Sequence, residues 1–94
     1  MSLPSISVAM TTFNGARYLA DQLTSLSSQS VIPLELVVCD DGSTDDTVAI
    51  LQSFSTLAPF KVRIFQNASR LGYKRNFMKA ASLCKGSLIA FCDQ

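Results

Sequence analysis

Short apolar runs alternate with segments of helical periodicity, and this alternation constrains the chain more than any other feature of its sequence. Ile6 to Thr12 (ISVAMTT), Leu34 to Cys39 (LELVVC) and Ser87 to Cys92 (SLIAFC) are brief apolar stretches next to turn residues, the pattern of buried strands. Lys61 to Gln66 (KVRIFQ) alternates instead, with Val62 and Ile64 opposing Lys61, Arg63 and Phe65, which predicts an edge or half-exposed strand. Between these runs, Tyr18, Leu19, Leu23 and Leu26 mark the inward stripe of a helix over Ala16 to Ser28. Thr47, Val48, Leu51 and Phe54 mark a second helix, and Phe77, Ala80, Ala81 and Cys84 a third that runs from about Tyr73 to Cys84 and ends at Lys85-Gly86. Ser43 to Asp46 (STDD) precedes the second helix and is expected to start it, with a hydroxyl cap and with Asp45 and Asp46 as first-turn acids. The expected fold is α/β: a Rossmann-like parallel sheet in β-α-β-α-β-α-β order, with helices on its faces and right-handed crossovers.

A chain of 94 residues holds one domain at most. Its 48% hydrophobic and 16% charged content places it with globular chains, and a net charge of +1 without charge blocks argues against a nucleic-acid partner. The cysteines Cys39, Cys84 and Cys92 lack CxxC spacing and are read as reduced core residues of a cytoplasmic protein. No apolar stretch approaches the ~20 residues of a membrane span. Met1-Ser2-Leu3, ahead of Pro4, are read as an expression scar. Histidine is absent, which removes Ser-His-Asp and Cys-His catalysis and leaves oxygen ligands for any metal.

In open parallel sheets, ligands bind beyond the carboxyl ends of the strands. Three such ends are polar here: Thr11-Thr12-Phe13-Asn14 after the first strand, Asp40-Asp41 after the second and Asp93 after the fourth. The first turn has a single glycine, Gly15, so the GxGxxG of dinucleotide binding is missing, as is GxxxxGK[ST]. The carboxylates would repel phosphate and must meet hydrogen-bond donors or a cation. Asp40 and Asp41 could accept from a base N–H or a ribose hydroxyl, or one of them could instead pin the turn at Gly42. Asp93 could help hold a divalent ion. Phe13 is either a packing residue or a base-stacking one. Arg70, Lys74 and Arg75 are solvated charges unless one of them reaches a diphosphate.

ISVAMTTFNG, LELVVCDDGSTDDT, NASRLGYKRNF and GSLIAFCDQ, in this order, resemble the successive N-terminal motifs of family 2 glycosyltransferases of the GT-A fold. More narrowly, they are similar to bacterial enzymes that build surface polysaccharides, including rhamnosyltransferase-like members. The resemblance covers Ser5 to Gln94. It implies that residues 1–94 form an incomplete GT-A nucleotide-sugar-binding domain without its acceptor half. Thr11 and Phe13 would contact the nucleotide, Asp41 in preference to Asp40 would accept from a uracil or thymine ring, and Arg75 would approach the nucleotide or diphosphate. Asp93-Gln94 match the first two positions of a D-x-D motif, so Asp93 would face Mg²⁺ or Mn²⁺, or the donor sugar or ribose.

The implied parent enzyme transfers a sugar from a UDP- or dTDP-sugar to a glycan or lipid-linked acceptor, with inversion, in the cytoplasm or at the inner face of the membrane. The general base would lie beyond Gln94, so the 94 residues alone are expected to be inactive and to self-associate through an uncovered fourth strand. The competing expectation is a non-catalytic α/β nucleotide-binding or interaction module. A phosphoacceptor receiver domain does not fit, since its acids would follow the first strand and its acceptor aspartate the third.

Overall fold

The computed structural model describes residues 4–92. Its elements run β1 (Ile6–Thr12), α1 (Ala16–Ser27), β2 (Glu35–Asp40), α2 (Thr47–Leu57), β3 (Lys61–Gln66), α3 (Tyr73–Leu83) and β4 (Leu88–Cys92). The four strands form one parallel sheet in the order β3-β2-β1-β4. Two successive strands step outward from β1 on one side, and the chain then returns to the other side of β1 for β4. This reversal creates the switch point at which open α/β sheets leave a crevice.

Strand alternation sorts the sequence onto two faces. Val8 and Met10 of β1, Leu36 and Val38 of β2 and Val62 and Ile64 of β3 pack with Leu19, Leu23 and Leu26 of α1 and with Ile50, Leu51 and Phe54 of α2. Ala9 and Cys39, at the intervening positions, pack with Ala80, Leu83 and Cys84 of α3 and with Phe65. Among the described residues, one face therefore carries α1, α2 and the larger core, and the other carries α3.

Several details differ from the sequence expectation. Tyr18 is exposed although it shares the α1 spacing, because three leucines already fill the stripe. Asp45 and Asp46 precede α2 and are not in its first turn. The Asp45 carboxylate instead accepts from the Thr47 N–H and hydroxyl and from the Ala16 N–H. Those bonds, that of Thr47 first, hold its pKa below the ordinary value, so Asp45 ties the start of α1 to the start of α2. The buried face of α3 is built on Asn76 and Ala80, and Phe77 stacks edge-on between Tyr73 and Phe91.

At the amino-terminal edge of the sheet, a buried polar cluster fixes the α3–β4 turn. Glu35 Oε1 accepts from Arg63 Nε at 2.9 Å, and Oε2 accepts from the Ser7 hydroxyl at 2.6 Å and the Lys85 N–H at 2.7 Å. Arg63 also donates to the Leu83 carbonyl. Gly86 passes so close that a Cβ there would lie 2.8 Å from the Ser7 nitrogen. β4, at the sheet edge, leaves Leu88, Ile89 and Phe91 exposed, as the sequence reading anticipates.

Candidate functional site

The polar strand ends converge as expected, and the parity of β2 gives its two aspartates different surroundings. Asp40 is the last residue of β2 and lies on the same face as Leu36 and Val38, opposite Thr12 in register. Its Oδ1 accepts from the Thr12 hydroxyl at 2.7 Å and the Ser43 hydroxyl at 2.6 Å, and its Oδ2 accepts from the N–H groups of Gly42 at 3.2 Å and Ser43 at 2.9 Å. A carboxylate offers about four lone-pair positions, so Asp40 is saturated within the protein. Asp40 is the member of the pair that pins the turn at Gly42.

Asp41, one residue on, belongs to the α3 side. Its Oδ1 accepts from the Leu71 N–H at 2.8 Å and the Asn67 side chain at 2.9 Å, and its Oδ2 from the Gly72 N–H at 3.0 Å. Arg70 Nε stands 3.6 Å from the same Oδ2. Burial by itself would raise the Asp41 carboxyl, but the bonds from Leu71, Asn67 and Gly72 and the Arg70 charge outweigh it and hold the group below the ordinary carboxylate value. Gly72 adopts φ +83°, a region disfavoured for residues with a Cβ, and so presents its N–H to Asp41 at the start of α3.

The two strand-to-helix loops on the other side are laced together. Asn14, at φ +49°, places its Oδ1 to accept from the Thr44 N–H at 2.7 Å, and its own N–H donates to the Ser43 hydroxyl at 2.8 Å. The Gly15 N–H donates to the Thr47 hydroxyl at 2.9 Å. Neighbouring loops thus hold the turn that follows Phe13.

The resulting pocket, about 210 Å³, is lined by Thr11, Thr12, Phe13, Asp41, Arg70, Tyr73 and Asn76. Pockets that enclose a whole drug-sized ligand measure ~300–1,000 Å³, so this one is sized for part of such a ligand. The Arg70 guanidinium lies 3.8 Å over the Phe13 ring. Of the residues expected from the sequence, Thr11, Phe13 and Asp41 come together here. Asp40 does not line the pocket: its carboxylate is taken up by Thr12, Gly42 and Ser43. Arg75 does not line it either: the basic residue that does is Arg70, which sits in the loop beside Asp41, whereas Arg75 sits in α3 after Tyr73. Asp93, the metal candidate, lies outside the described residues. Among the described residues, no three His, Cys, Asp or Glu side chains cluster in a way that could hold a metal ion.

Residues 7–94 match the family described as Glycosyl transferase family 2. The chain belongs to glycosyltransferase family 2. This family 2 chain is 38% identical over 90 residues to a putative glycosyltransferase, EpsE, of Bacillus subtilis, covering 96% of its own length and 32% of that protein. It is 34% identical over 91 residues to chondroitin synthase of Escherichia coli, covering 97% of itself and 13% of that enzyme. The chain therefore spans about a third or less of these relatives.

Among solved structures, Staphylococcus aureus TarS 1-349 in complex with UDP superposes with a TM-score of 0.85 at 28% identity, over 95% of this chain and 27% of that one. The mannosyltransferase PcManGT of Pyrobaculum calidifontis, in complex with GDP-Man and Mn²⁺, gives 0.87 at 23% identity over 99% of this chain and 28% of that one, a likeness of fold. The α/β order and the parallel sheet of this family 2 chain thus match the GT-A architecture.

Sequence reasoning missed Asn67 and Asn76. Asn76 is 2% exposed on the helix stripe that packs against the sheet. Its signal was legible as a polar residue one turn before Ala80, on a stripe that otherwise reads apolar.

Proposed function

We propose that this chain is the nucleotide-sugar-binding part of a glycosyltransferase that takes a UDP- or dTDP-sugar, rhamnosyl donors included, and transfers the sugar to a glycan or lipid-linked acceptor with inversion. The observation that carries this reading is the state of Asp41 within the pocket. Its Oδ1 is filled by two donors, while its Oδ2 takes one close donor, Gly72 N–H, with Arg70 Nε farther away at 3.6 Å. A single acceptor position is left for a ligand. That suits the lone N3–H of uracil or thymine, whose flanking carbonyls need a donor such as Arg70. Guanine presents two donors side by side and needs a carboxylate with both oxygens open.

The TarS complex with UDP supports a uridine nucleotide, and a relative that is a chondroitin synthase supports a glycan acceptor. In the proposed reaction the acceptor oxygen bonds to the anomeric carbon as the bond to the diphosphate oxygen breaks. The electron pair leaves on the nucleoside diphosphate, and the acceptor proton goes to a base outside residues 1–94. Mg²⁺ or Mn²⁺ would neutralise the diphosphate as it departs. On this reading the contribution of Thr11, Phe13, Asp41 and Arg70 is to hold the nucleoside. On this reading the 94 residues alone show no transferase turnover.

Titration calorimetry with UDP, dTDP, GDP and ADP, each with and without Mn²⁺, tests the proposal. UDP and dTDP are expected to bind about tenfold more tightly than GDP and ADP, a difference of ~1.4 kcal/mol. Equal weak binding of all four sinks it.

A further inference from the structure

Behind the pocket, a line of side chains connects the outside of α3 to Asp41. Lys79 Nζ donates to Asn67 Oδ1 at 2.7 Å. Asn67 Nδ2 donates both to Asp41 Oδ1 at 2.9 Å and to Asn76 Oδ1 at 2.8 Å. Asn76 Nδ2 donates to the Cys39 carbonyl at 2.8 Å.

Each amide in this line has one permitted orientation. An ammonium can only donate and an ionised carboxylate can only accept. With Lys79 on one side and Asp41 on the other, Asn67 must turn its oxygen to the lysine and its NH₂ to the aspartate. Asn76 must then offer its oxygen to Asn67 and its NH₂ to the carbonyl of β2. Asparagine is a poor helix-interior residue, and a buried amide without partners would cost free energy, so its place in α3 needs a reason beyond packing. Here every hydrogen-bonding group of the two amides that faces the line is used.

We propose that Asn67 is a positioning residue for nucleotide recognition, held in orientation by Lys79 and Asn76. By occupying Asp41 Oδ1, it turns Oδ2 toward the pocket as the single open acceptor. Asp41 receives its other bonds from the Leu71 and Gly72 N–H groups, one on each oxygen, and Asn67 adds the second donor on Oδ1 that leaves the open position on Oδ2. Asn67 is fixed at both ends: its own N–H donates to the Asp40 carbonyl at 2.9 Å. Lys79 itself does not line the pocket, and its contact in this line is with Asn67.

The inference rests on the nucleotide reading of the pocket, but its test has a readout free of nucleotide. The acid titration of the Asp41 carboxyl carbon is followed by NMR in the 94-residue chain, in Asn67→Ala, in Lys79→Met, in the double variant and in Lys79→Arg. Charged or titratable groups from each neighbouring element are Arg70 of the loop, Tyr73 and Lys79 of α3 and Cys39 and Asp40 of β2. Of these, only Lys79 is changed.

The expected result is an upward move of the midpoint in both single variants, no further move when Lys79→Met is added to Asn67→Ala, and a wild-type midpoint in Lys79→Arg. UDP affinity is expected to fall about tenfold in Asn67→Ala, the loss of roughly one charge-assisted bond. Additive midpoint shifts would mean that the lysine charge acts directly and would overturn the relay, as would an unmoved midpoint. If wild-type protein bound no UDP, the nucleotide reading would fail, and the titration would still decide this inference. Lys79→Met changes only a half-buried side chain on α3 and keeps the test alive if Asn67→Ala does not fold.

Discussion

The Arg70 guanidinium and the Phe13 ring stack at 3.8 Å across the mouth of the pocket, joining the β3–α3 loop to the end of β1. Arg70 is thus held by two partners of different kind, the ring face and the Asp41 carboxylate at 3.6 Å. Its side chain is 60% exposed, so neither contact is strong alone, and a partly exposed cation–π pair contributes about 0.5–1 kcal/mol. A double-mutant cycle with Phe13→Leu and Arg70→Met, read by urea unfolding, is expected to give a coupling of that size. A coupling of zero would show that the stack does not persist in solution.

Asp41→Asn replaces the acceptor with a group that also donates. The Leu71 and Gly72 N–H groups lose a charged partner, and a bond to a charged group contributes about 1.5–3 kcal/mol. UDP binding is expected to weaken by about ten- to a hundredfold, measured by calorimetry at a pH where both proteins are fully folded. Unchanged affinity would remove Asp41 from base recognition.

The pH dependence of stability follows from the same residue. Asp41 is held below its ordinary value of 3.8 in the folded chain, so the unfolded chain takes up the proton first as pH falls. Its stabilising contribution is therefore complete above about pH 4 and is lost as pH drops through the lower folded value. Glu35 behaves likewise from an ordinary value of 4.5: burial would raise it, but Ser7, Lys85 and Arg63 lower it further than burial raises it. Urea unfolding from neutral to acid pH is expected to show a steeper loss for wild-type protein than for Asp41→Asn. Parallel curves would contradict the assignment.

Glu35 and Asp41 sit at opposite edges of the sheet, which separates folding from binding. Arg63→Met leaves the buried Glu35 carboxylate without its cation, and breaking such a pair typically costs about 3–5 kcal/mol. Stability is expected to fall by that order while the UDP affinity of the folded protein stays the same. Gly86→Ala is expected to act on stability in the same way, through the clash with the Ser7 backbone. A change in affinity in either variant would mean that the amino-terminal edge reaches the pocket.

β4 presents Leu88, Ile89 and Phe91 at the edge of the sheet, with no charged residue from Leu88 to Cys92 to discourage pairing. We propose that the chain self-associates through this strand. Sedimentation at rising concentration is expected to show oligomers, and Ile89→Lys is expected to restore the monomer. A wild-type monomer at every concentration would contradict the proposal.

The sequence by itself determined the order of elements and the edge at which chemistry collects. Apolar runs and helical stripes are local periodicities, and parallel strands must send Thr11, Phe13 and Asp41 to one end of the sheet. The DDGST motif likewise identified the acidic pair. Which aspartate faces the pocket was decided by which donors reach each carboxylate and by where each helix packs. Asp40 turns to the α1 and α2 side and is saturated there, while Asp41 turns to α3. Arg70 rather than Arg75 reaches the pocket because the loop before Gly72 folds back over Asp41, a path that no periodicity encodes. Asn67 and Asn76 meet across nine positions of chain, and Asn76 reaches β2 across thirty-seven. Contacts at such separations depend on how α3 lies on the sheet. Only the tertiary structure could place those two amides behind the aspartate.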